Sequence, residues 1–299
     1  MIKSIKHFLR LTFLYITTRI LYVFNRPPKV INSIDSLKKI NNEKLSISRY
    51  GDGEFLVMSG KSIKFQEYDP ILARRLKEIL FSWGNDFYPC IPAIYKFNET
   101  RCLKYNEEVF WLNEILYYSK IYLNKDYKNK IYLDACLSRP YIRYKKTEIS
   151  KELFKEIKKI WDKKDILIVE GKFSRLGVGN DLFNNAKSIK RILCPNKNAF
   201  SVYDKILNET SKYKDKLVLI ALGPTATVLA YDLYKLNIRA IDLGHLDLEY
   251  EWYLSGAKEK QIVKNKIVNE VQEENKIDDI KEKKYLESIL KEIRWLYEI

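Results

Sequence analysis

The sequence is poor in the residues that build metal centres and disulfide frameworks. Its 299 residues include four cysteines and two histidines, and no two cysteines form a CxxC pair. Structural zinc sites and small disulfide-linked domains need such residues in closely spaced sets. Neither is therefore expected, and the composition is typical of a protein of the reducing cytoplasm.

Long apolar runs are also missing. No stretch of 18 or more uncharged apolar residues occurs, which excludes an ordinary transmembrane helix. No small-residue cleavage site follows the first apolar segment, so a signal peptide is not expected either. With 46% hydrophobic and 31% charged residues, the chain can bury a core, and its length fits one large α/β domain or two small ones.

Acidic residues are absent from the first 34 positions, which hold six Lys or Arg. Residues 1–30 are otherwise apolar and include a Pro-Pro break. We interpret this segment as a basic amphipathic helix on an anionic membrane surface. The alternative is a first helix that only packs on the domain.

The whole chain carries 54 basic and 39 acidic residues, a net charge of +15. A basic excess of this size suits a nucleic-acid partner, but no signature of a nucleic-acid-binding fold is present. We therefore expect no nucleic acid as a partner. A general preference for Lys over Arg explains part of the basic excess as well as a binding partner does.

Short apolar runs alternate with helical stretches through the middle of the chain. This rhythm predicts an α/β fold with an open, doubly wound, Rossmann-like and mostly parallel sheet, whose ligands lie beyond the carboxyl ends of the strands. The predicted strands are Leu45–Ser48, Ile131–Cys136, Asp165–Glu170, Arg191–Cys194, Leu217–Leu222 and Arg239–Leu243.

Residues 272–299 are highly charged but carry apolar side chains at helical spacing. The pattern predicts a C-terminal amphipathic helix. Such a helix most often packs on its own domain. A coiled-coil homodimer is the alternative use.

The first predicted strand is followed by two carboxylates, Asp52 and Glu54, next to Gly51. Carboxylate oxygens are the ligands that Mg²⁺ and Mn²⁺ prefer, and glycines allow the sharp turn that brings them together. Arg49 just before them is a candidate phosphate ligand, and Gly51 is a candidate contact to the same ligand. A solvated turn without a metal is the alternative.

Two later strand ends are rich in glycine and lead into predicted helices. Backbone N–H groups in such loops bind phosphate well, although neither loop matches a P-loop or a dinucleotide fingerprint. The alternative is that these loops only begin helices and bind no ligand, with Asn180 or Asp181 as the N-cap of the first helix. The candidate ligand-binding residues are Arg175, Asn180, Asp181, Gly223 and Thr225.

The last predicted strand is followed by His245 and a run of carboxylates. Asp247, Glu249 and Glu251 alternate with other residues, so an extended backbone would put all three on one face. Like charges so close repel unless they share a cation, a hydroxyl or a proton. General acid–base work on hydroxyl groups would use this arrangement.

Several blocks of the sequence together resemble one family. They include SISRYGDGEF at Ser46–Phe55, EGKFSRLGVGNDLFNNA at Glu170–Ala186, and ALGPTATVLAYDL followed by AIDLGHLDLEYEWYL. These blocks are similar to the glycosyltransferases of GT-D fold, formerly known as a bacterial domain of unknown function. The resemblance covers roughly residues 33–271. It divides the chain into a membrane-surface segment 1–30, a catalytic domain 31–271 and a helix at 272–299.

The resemblance implies transfer of a hexose, with glucose or galactose as first guesses, from a UDP-sugar to a bacterial surface glycan. The glycan would belong to a capsule, an exopolysaccharide or a glycoprotein, and its acceptor would be lipid-linked at the inner face of the membrane. Asp52 and Glu54 become the Mn²⁺ or Mg²⁺ ligands of a DxE motif. Arg175, His245 and Glu251 become donor-binding or catalytic residues, with Glu251 as the favoured base.

Two other readings use the same features. A metal-dependent phosphoesterase or nucleotidyltransferase would need the same carboxylates and glycine loops. A basic RNA-binding module would explain the charge, but it leaves the acidic run after His245 without a purpose.

Overall fold

The computed structural model describes residues 2–95, 97–122, 130–269, 271 and 277–295. Over these residues the strands form one sheet in the order β1-β4-β3-β2-β8-β7-β5-β6-β9, and every paired strand runs parallel to its neighbour. The strands are β1 Lys29–Val30, β2 Ser46–Arg49, β3 Phe87–Ile91, β4 Ile131–Asp134, β5 Asp165–Gly171, β6 Ser188–Cys194, β7 Leu217–Ala221, β8 Ala240–Asp242 and β9 Ile289–Glu292.

Helices cover both faces of this sheet, which confirms the predicted doubly wound α/β fold. They are α1 Ile2–Phe24, α2 Ser33–Asn42, α3 Asp52–Met58, α4 Pro70–Leu80, α5 Phe97–Arg101, α6 Tyr105–Tyr117, α7 Ser119–Tyr122, α8 Glu148–Lys158, α9 Tyr203–Thr210, α10 Pro224–Lys235, α11 Leu246–Leu254 and α12 Lys283–Ser288.

Strand β7 shows how the two faces are filled. Leu217 and Leu219 point into the core on one side, while Val218 and Ile220 point into the core on the other. Successive side chains of a strand face opposite ways, so a strand covered on both sides is apolar at every position. This burial explains why short, unbroken apolar runs located the central strands from sequence.

The sheet has a weak join in its middle. A single registered pair, Ile47 with Ile241, connects β2 to β8, whereas β5 and β6 pair along their full lengths. On one side of the join lie β2, β3, β4 and β1, and on the other lie β8, β7, β5, β6 and β9. Crevices at such points of an open sheet are where α/β proteins bind ligands.

The two ends of the chain extend this core differently. Helix α1 packs on α6, and no helix in the described part of the chain has both the length and the apolar character needed to cross a membrane. The prediction of one amphipathic helix at 272–299 is wrong for Ile289–Glu292, which is strand β9 on the open edge of β6. Residues 272–276 and 296–299 lie outside the described residues.

Residues Ile289–Glu292 form a strand because β6 would otherwise be an unpaired edge of the sheet. Parallel pairing satisfies the backbone groups of that edge, and the N–H of Ile293 donates to the carbonyl of Leu193 at 2.7 Å. The Ile293 side chain is 6% exposed and joins the core beneath β6. Within 277–295, the part of this segment that the structure describes, α12 alone has the predicted helical form.

A buried ion pair links β5 to β6. Glu170 is fully buried, and the Arg191 guanidinium donates to its Oε1. The N–H of Leu176 donates to the other carboxylate oxygen at 2.7 Å, and Arg191 also donates to the Leu176 carbonyl at 2.8 Å. The pair therefore fastens the glycine loop that follows β5.

We expect Arg191→Met to lower the free energy of unfolding by about 3–5 kcal/mol, because a buried carboxylate is left without its cation. Lys187→Met is the matched control, since Lys187 pairs with Asp165 at 3.0 Å on the surface between the same strands. Urea unfolding of both variants measures the difference. Equal losses would contradict a special role for the buried pair.

Candidate functional site

A cleft lies at the carboxyl ends of β2, β8 and β7, over the join of the sheet. It contains a larger cavity of about 560 Å³ and a smaller one of about 90 Å³. The two adjoin, since Phe65, Gly223, Gly244, His245 and Asn269 line both. Polar and aromatic residues on the larger cavity include Asp52, Glu54, Trp111, Arg139, Asp242 and Glu249.

The DxE pair starts helix α3 at the edge of this cleft. Asp52 is the first residue of the helix and is exposed. Glu54 reaches back, and its Oε2 accepts the N–H of Gly51 at 2.7 Å. That bond closes a capping box, so Glu54 has a structural role at the start of α3.

Glu54 and Asp242, two of the carboxylates in the cleft, have raised pKa values. Burial raises the pKa of Glu54 to about 7, and the negative charge of Asp242 adds to the shift while the Gly51 N–H and Arg49 oppose it. Burial likewise raises the pKa of Asp242 to about 6, against the lowering effect of Arg49. Two buried carboxylates that repel each other are stabilised in their charged form by a nearby cation.

Arg49 was a candidate phosphate ligand, but the structure gives it other partners. Its Nε donates to the Ala135 carbonyl at 2.9 Å, and its backbone N–H donates to Asp242 at 3.1 Å. The guanidinium lies 3.8 Å from the same carboxylate. Arg49 therefore ties β2 to β8 and to the end of β4, at the floor of the cleft.

Gly244 makes room for this arrangement. Its φ is +51°, and a Cβ there would lie 2.0 Å from Nη1 of Arg49. Gly223 is similar, with φ +53° and Phe65 in the way of a Cβ at 2.4 Å. The sequence singled out Gly223 as a ligand contact, and it lines both cavities.

Thr225 lies elsewhere than predicted. It is fully buried and lines neither cavity. Thr227, two residues on, has the polar role that sequence reasoning missed: its hydroxyl donates to the Arg49 carbonyl at 2.9 Å and approaches Asp242 at 3.4 Å. Residues two apart in a helix face different directions. Which of the two threonines faces the cleft depends on how α10 packs against β2 and β8, and local sequence does not show this packing.

The acidic run after His245 is helical, so the prediction that an extended backbone aligns its carboxylates is wrong. Asp247 and Glu251 stand one turn apart in α11 and share the ammonium of Lys266, each at 2.7 Å. Lys266 is 3% exposed. Glu251 lines neither cavity, while Asp247 lines the smaller one.

Glu249 points to the other side of α11 and lines the larger cavity. It is fully buried, and its Oε2 accepts the N–H groups of Tyr141 and Ile142, each at 2.9 Å. Its Oε1 has no hydrogen-bond partner in the described part of the chain. Burial raises the pKa of Glu249, against the lowering effect of Arg139.

His245 stands between the two cavities and contacts Arg139. The Arg139 guanidinium donates to Nδ1 of the imidazole. An Arg has no acceptor, so Nδ1 accepts and the proton of the neutral ring lies on Nε2. Arg139 also lies 4.0 Å from Oε1 of Glu249, which puts a cation, an imidazole and a carboxylate in one group.

The glycine loop after β5 differs from its prediction. Arg175 lies 4% exposed outside both cavities, where it donates to the carbonyls of Asn265 and Asp278 at 2.9 and 2.8 Å. Asn180 donates to Asp247 and Glu251. Asp181 is exposed and pairs with Lys158. Turns and not a helix follow, so the prediction of Asn180 or Asp181 as a helix N-cap is wrong.

The described residues contain no group of three or more His, Cys, Asp or Glu side chains arranged to hold a metal. A divalent cation at Asp52 and Glu54 would take its other ligands from water or from an anionic ligand, which is usual for Mg²⁺ beside phosphates. The cleft as a whole can hold an anion next to a cation and receive a proton at a buried carboxylate.

The sequence profile described as "Glycosyltransferase GT-D fold" matches residues 47–271. The chain belongs to this glycosyltransferase family. The match spans the whole cleft floor, from β2 through α11, which confirms the resemblance seen in the sequence.

Two curated relatives are glycosyltransferases by name. The chain is 39% identical over 237 residues to "Probable glycosyl transferase Gly" of Streptococcus gordonii, covering 79% of this chain and 34% of that protein. It is 36% identical over 263 residues to "Glycosyltransferase GlyD" of Streptococcus pneumoniae, covering 87% and 32%. The chain therefore spans about a third of the length of these relatives.

Solved structures agree in fold. One, described as "The highly conserved domain of unknown function 1792 has a distinct glycosyltransferase fold", is 40% identical with a TM-score of 0.87, covering 94% of this chain and 100% of that one. Another, "A New Glycosyltransferase (DUF1792) from Streptococcus sanguinis", is 36% identical with a TM-score of 0.81, covering 89% and 100%.

We expect Gly244→Ala to destabilise the GT-D domain more than Gly256→Ala. Both glycines have positive φ, so each substitution costs about 1–2 kcal/mol of backbone strain. At Gly256, with φ +66°, a Cβ meets nothing within 4 Å, whereas at Gly244 it displaces Arg49 from its partners. Urea unfolding compares the two, and equal losses would show that Arg49 moves aside freely.

Proposed function

We propose that this chain is a metal-dependent hexosyltransferase that moves glucose or galactose from a UDP-sugar to a growing bacterial surface glycan. The observation that carries the proposal is one cleft of a GT-D domain that holds both the DxE carboxylates and the buried Glu249, whose Oε1 has no hydrogen-bond partner in the described part of the chain. The acceptor glycan would belong to a capsule, an exopolysaccharide or a glycoprotein.

The residues present suit Mn²⁺ or Mg²⁺. Asp52 and Glu54 offer oxygen ligands, and the raised pKa values of Glu54 and Asp242 are what a cation would relieve. A bound divalent cation would supply positive charge against the diphosphate of the leaving UDP. Asp52 is exposed at the mouth of the cleft, where a diphosphate arrives.

Arg139 and His245 are better placed for the donor phosphates than Arg175, which lies outside the cleft. Arg49 also lines the larger cavity but is held at its floor. Arg139 lines the larger cavity and keeps His245 as a donor through Nε2. Arg49 and Arg175 are engaged with backbone carbonyls. Positive charge and donors aimed at the leaving group stabilise the charge that develops there as the glycosidic bond breaks.

Glu249 is our proposed base. As C1 of the sugar passes from the UDP oxygen to the acceptor oxygen, the hydroxyl proton goes to Oε1 of Glu249 and UDP leaves. The two N–H groups on Oε2 hold the carboxylate in place. Glu251, favoured from sequence alone, is instead bound to Lys266, and this lowers its fitness for proton transfer.

Phe110 and Trp111 supply an apolar wall of the larger cavity, which suits the faces of acceptor sugars. A lipid-linked acceptor would place the enzyme at the inner face of the cell membrane.

A phosphoesterase or nucleotidyltransferase is the second candidate enzyme, because it would use the same carboxylates. It would release UDP or sugar phosphate irrespective of any acceptor.

The first test separates metal binding from helix capping. Glu54→Gln keeps an acceptor for the Gly51 N–H but removes the charge, so we expect near-native stability and loss of Mn²⁺-dependent UDP release from UDP-glucose or UDP-galactose. Glu54→Ala should lose the same activity and also about 1 kcal/mol of stability. Full activity of Glu54→Gln in the presence of Mn²⁺ would remove Glu54 from the metal site.

The second test compares Glu249→Gln with Glu251→Gln. In Glu249→Gln the new amide oxygen can still accept from Tyr141 and Ile142, so we expect donor binding to persist while kcat for transfer falls by about 10²–10⁴. Glu251→Gln should reduce kcat far less. Isothermal titration with UDP and an acceptor-dependent rate assay measure both effects, and the opposite ranking would restore Glu251 as the base.

A further inference from the structure

Helix α1 has two faces with opposite surroundings. Its inner face packs on α6, where Leu14 is 5% exposed and meets Val109 and Leu112. Farther along the same face, the His7 ring stacks on Tyr105 with centroids 3.9 Å apart. The helix is therefore fixed to the domain along its length.

The outer face of α1 is an exposed apolar ridge. Its members are between 52% and 80% exposed, and at about 100° per residue they fall on the side opposite Leu14 and Thr18. Isolated apolar side chains on a surface are ordinary, but a continuous ridge marks an interaction site. The ridge consists of Ile5, Phe8, Leu9, Phe13, Ile16, Ile20, Val23 and Phe24.

Exposed cations flank the ridge on both edges. Lys6 and Arg10 lie along one edge. Arg19 lies near the other edge, between Phe8 and Val23 on the helical wheel. The first acidic residue of the chain is Asp35. Every charged side chain that α1 itself carries is therefore basic.

We infer that this ridge docks onto an anionic lipid surface, with the apolar side chains in the interface and the flanking cations among the headgroups. An amphipathic helix with basic edges binds in this way. A second copy of the chain fits worse. Two ridges face to face would bring like charges together, since neither segment has an acid to pair with them.

Docking would bring the cleft close to the lipid. Helix α6 holds α1 on one side, while its Phe110 and Trp111 line the larger cavity. The lipid-binding ridge and the proposed acceptor wall therefore belong to two helices that pack directly on each other. Delivery of a lipid-linked acceptor rests on the proposed function, but membrane binding itself does not.

Co-sedimentation of the full chain with vesicles tests the inference without donor or acceptor. We expect binding to phosphatidylcholine vesicles that contain about one third phosphatidylglycerol, and little binding to phosphatidylcholine alone. Each cation near such a surface strengthens binding about fivefold. The triple variant Lys6→Gln/Arg10→Gln/Arg19→Gln should therefore weaken it on the order of a hundredfold.

A second variant tests the apolar part. Phe8→Gln/Phe13→Gln should weaken binding at least about tenfold, because two large apolar side chains no longer leave water. Its control is Ile71→Gln/Leu236→Gln, which changes two apolar residues exposed elsewhere. The control for charge replaces three exposed lysines away from α1, Lys151, Lys205 and Lys214, and both controls should bind like the original chain.

Two results would overturn the inference. Equal losses in the α1 variants and their controls would show that net charge or general apolarity drives binding, with no special face. A dimer in sedimentation velocity that Phe8→Gln/Phe13→Gln dissociates in the absence of vesicles would show that a second copy covers the ridge. Because neither measurement uses catalysis, the outcome is independent of the transferase chemistry.

Discussion

The join between β2 and β8 is held by polar side chains more than by backbone pairing. Asp242 accepts the backbone N–H groups of Arg49 and Gly244, each at 3.1 Å, and faces the Arg49 guanidinium. The Thr227 hydroxyl of α10 contacts both the Arg49 carbonyl and the Asp242 carboxylate. The Ser48 hydroxyl donates to the Thr227 carbonyl at 2.6 Å. Because the cleft floor is this network, the site and the join of the sheet depend on the same few bonds.

Much of the fold follows from local sequence because central parallel strands are apolar on both faces. The exceptions have physical reasons. Strand β3 contains a proline in FYPCI, and proline weakens the strand pattern. The segment around β9 has apolar residues at helical spacing, but the open edge of β6, which local sequence does not reveal, decides its form. Burial and pairing across the sheet outweigh local periodicity there.

The site was harder to predict because its charged residues are divided between chemistry and structure. The strand-end rule selected Asp52, Glu54, His245 and Glu249, and in the structure these four residues line one cavity. It could not show that Arg175 binds backbone carbonyls from a distant segment. In LDLEYEWYL, acidic and apolar residues alternate, and this pattern occurs both in a strand and in a helix that is buried on several sides. The spacing alone therefore wrongly predicted that the three carboxylates share one face.

The long sequence distance across the join has a consequence for the order of folding. Arg49 and Asp242 are separated by 193 positions, and contacts between such distant segments form late because a large loop must close first. Strands β2 to β4 can associate early, and β5 to β7 likewise, but the cleft needs both groups and β8. During synthesis, the ribosome must therefore pass Asp242 before the floor of the cleft can form.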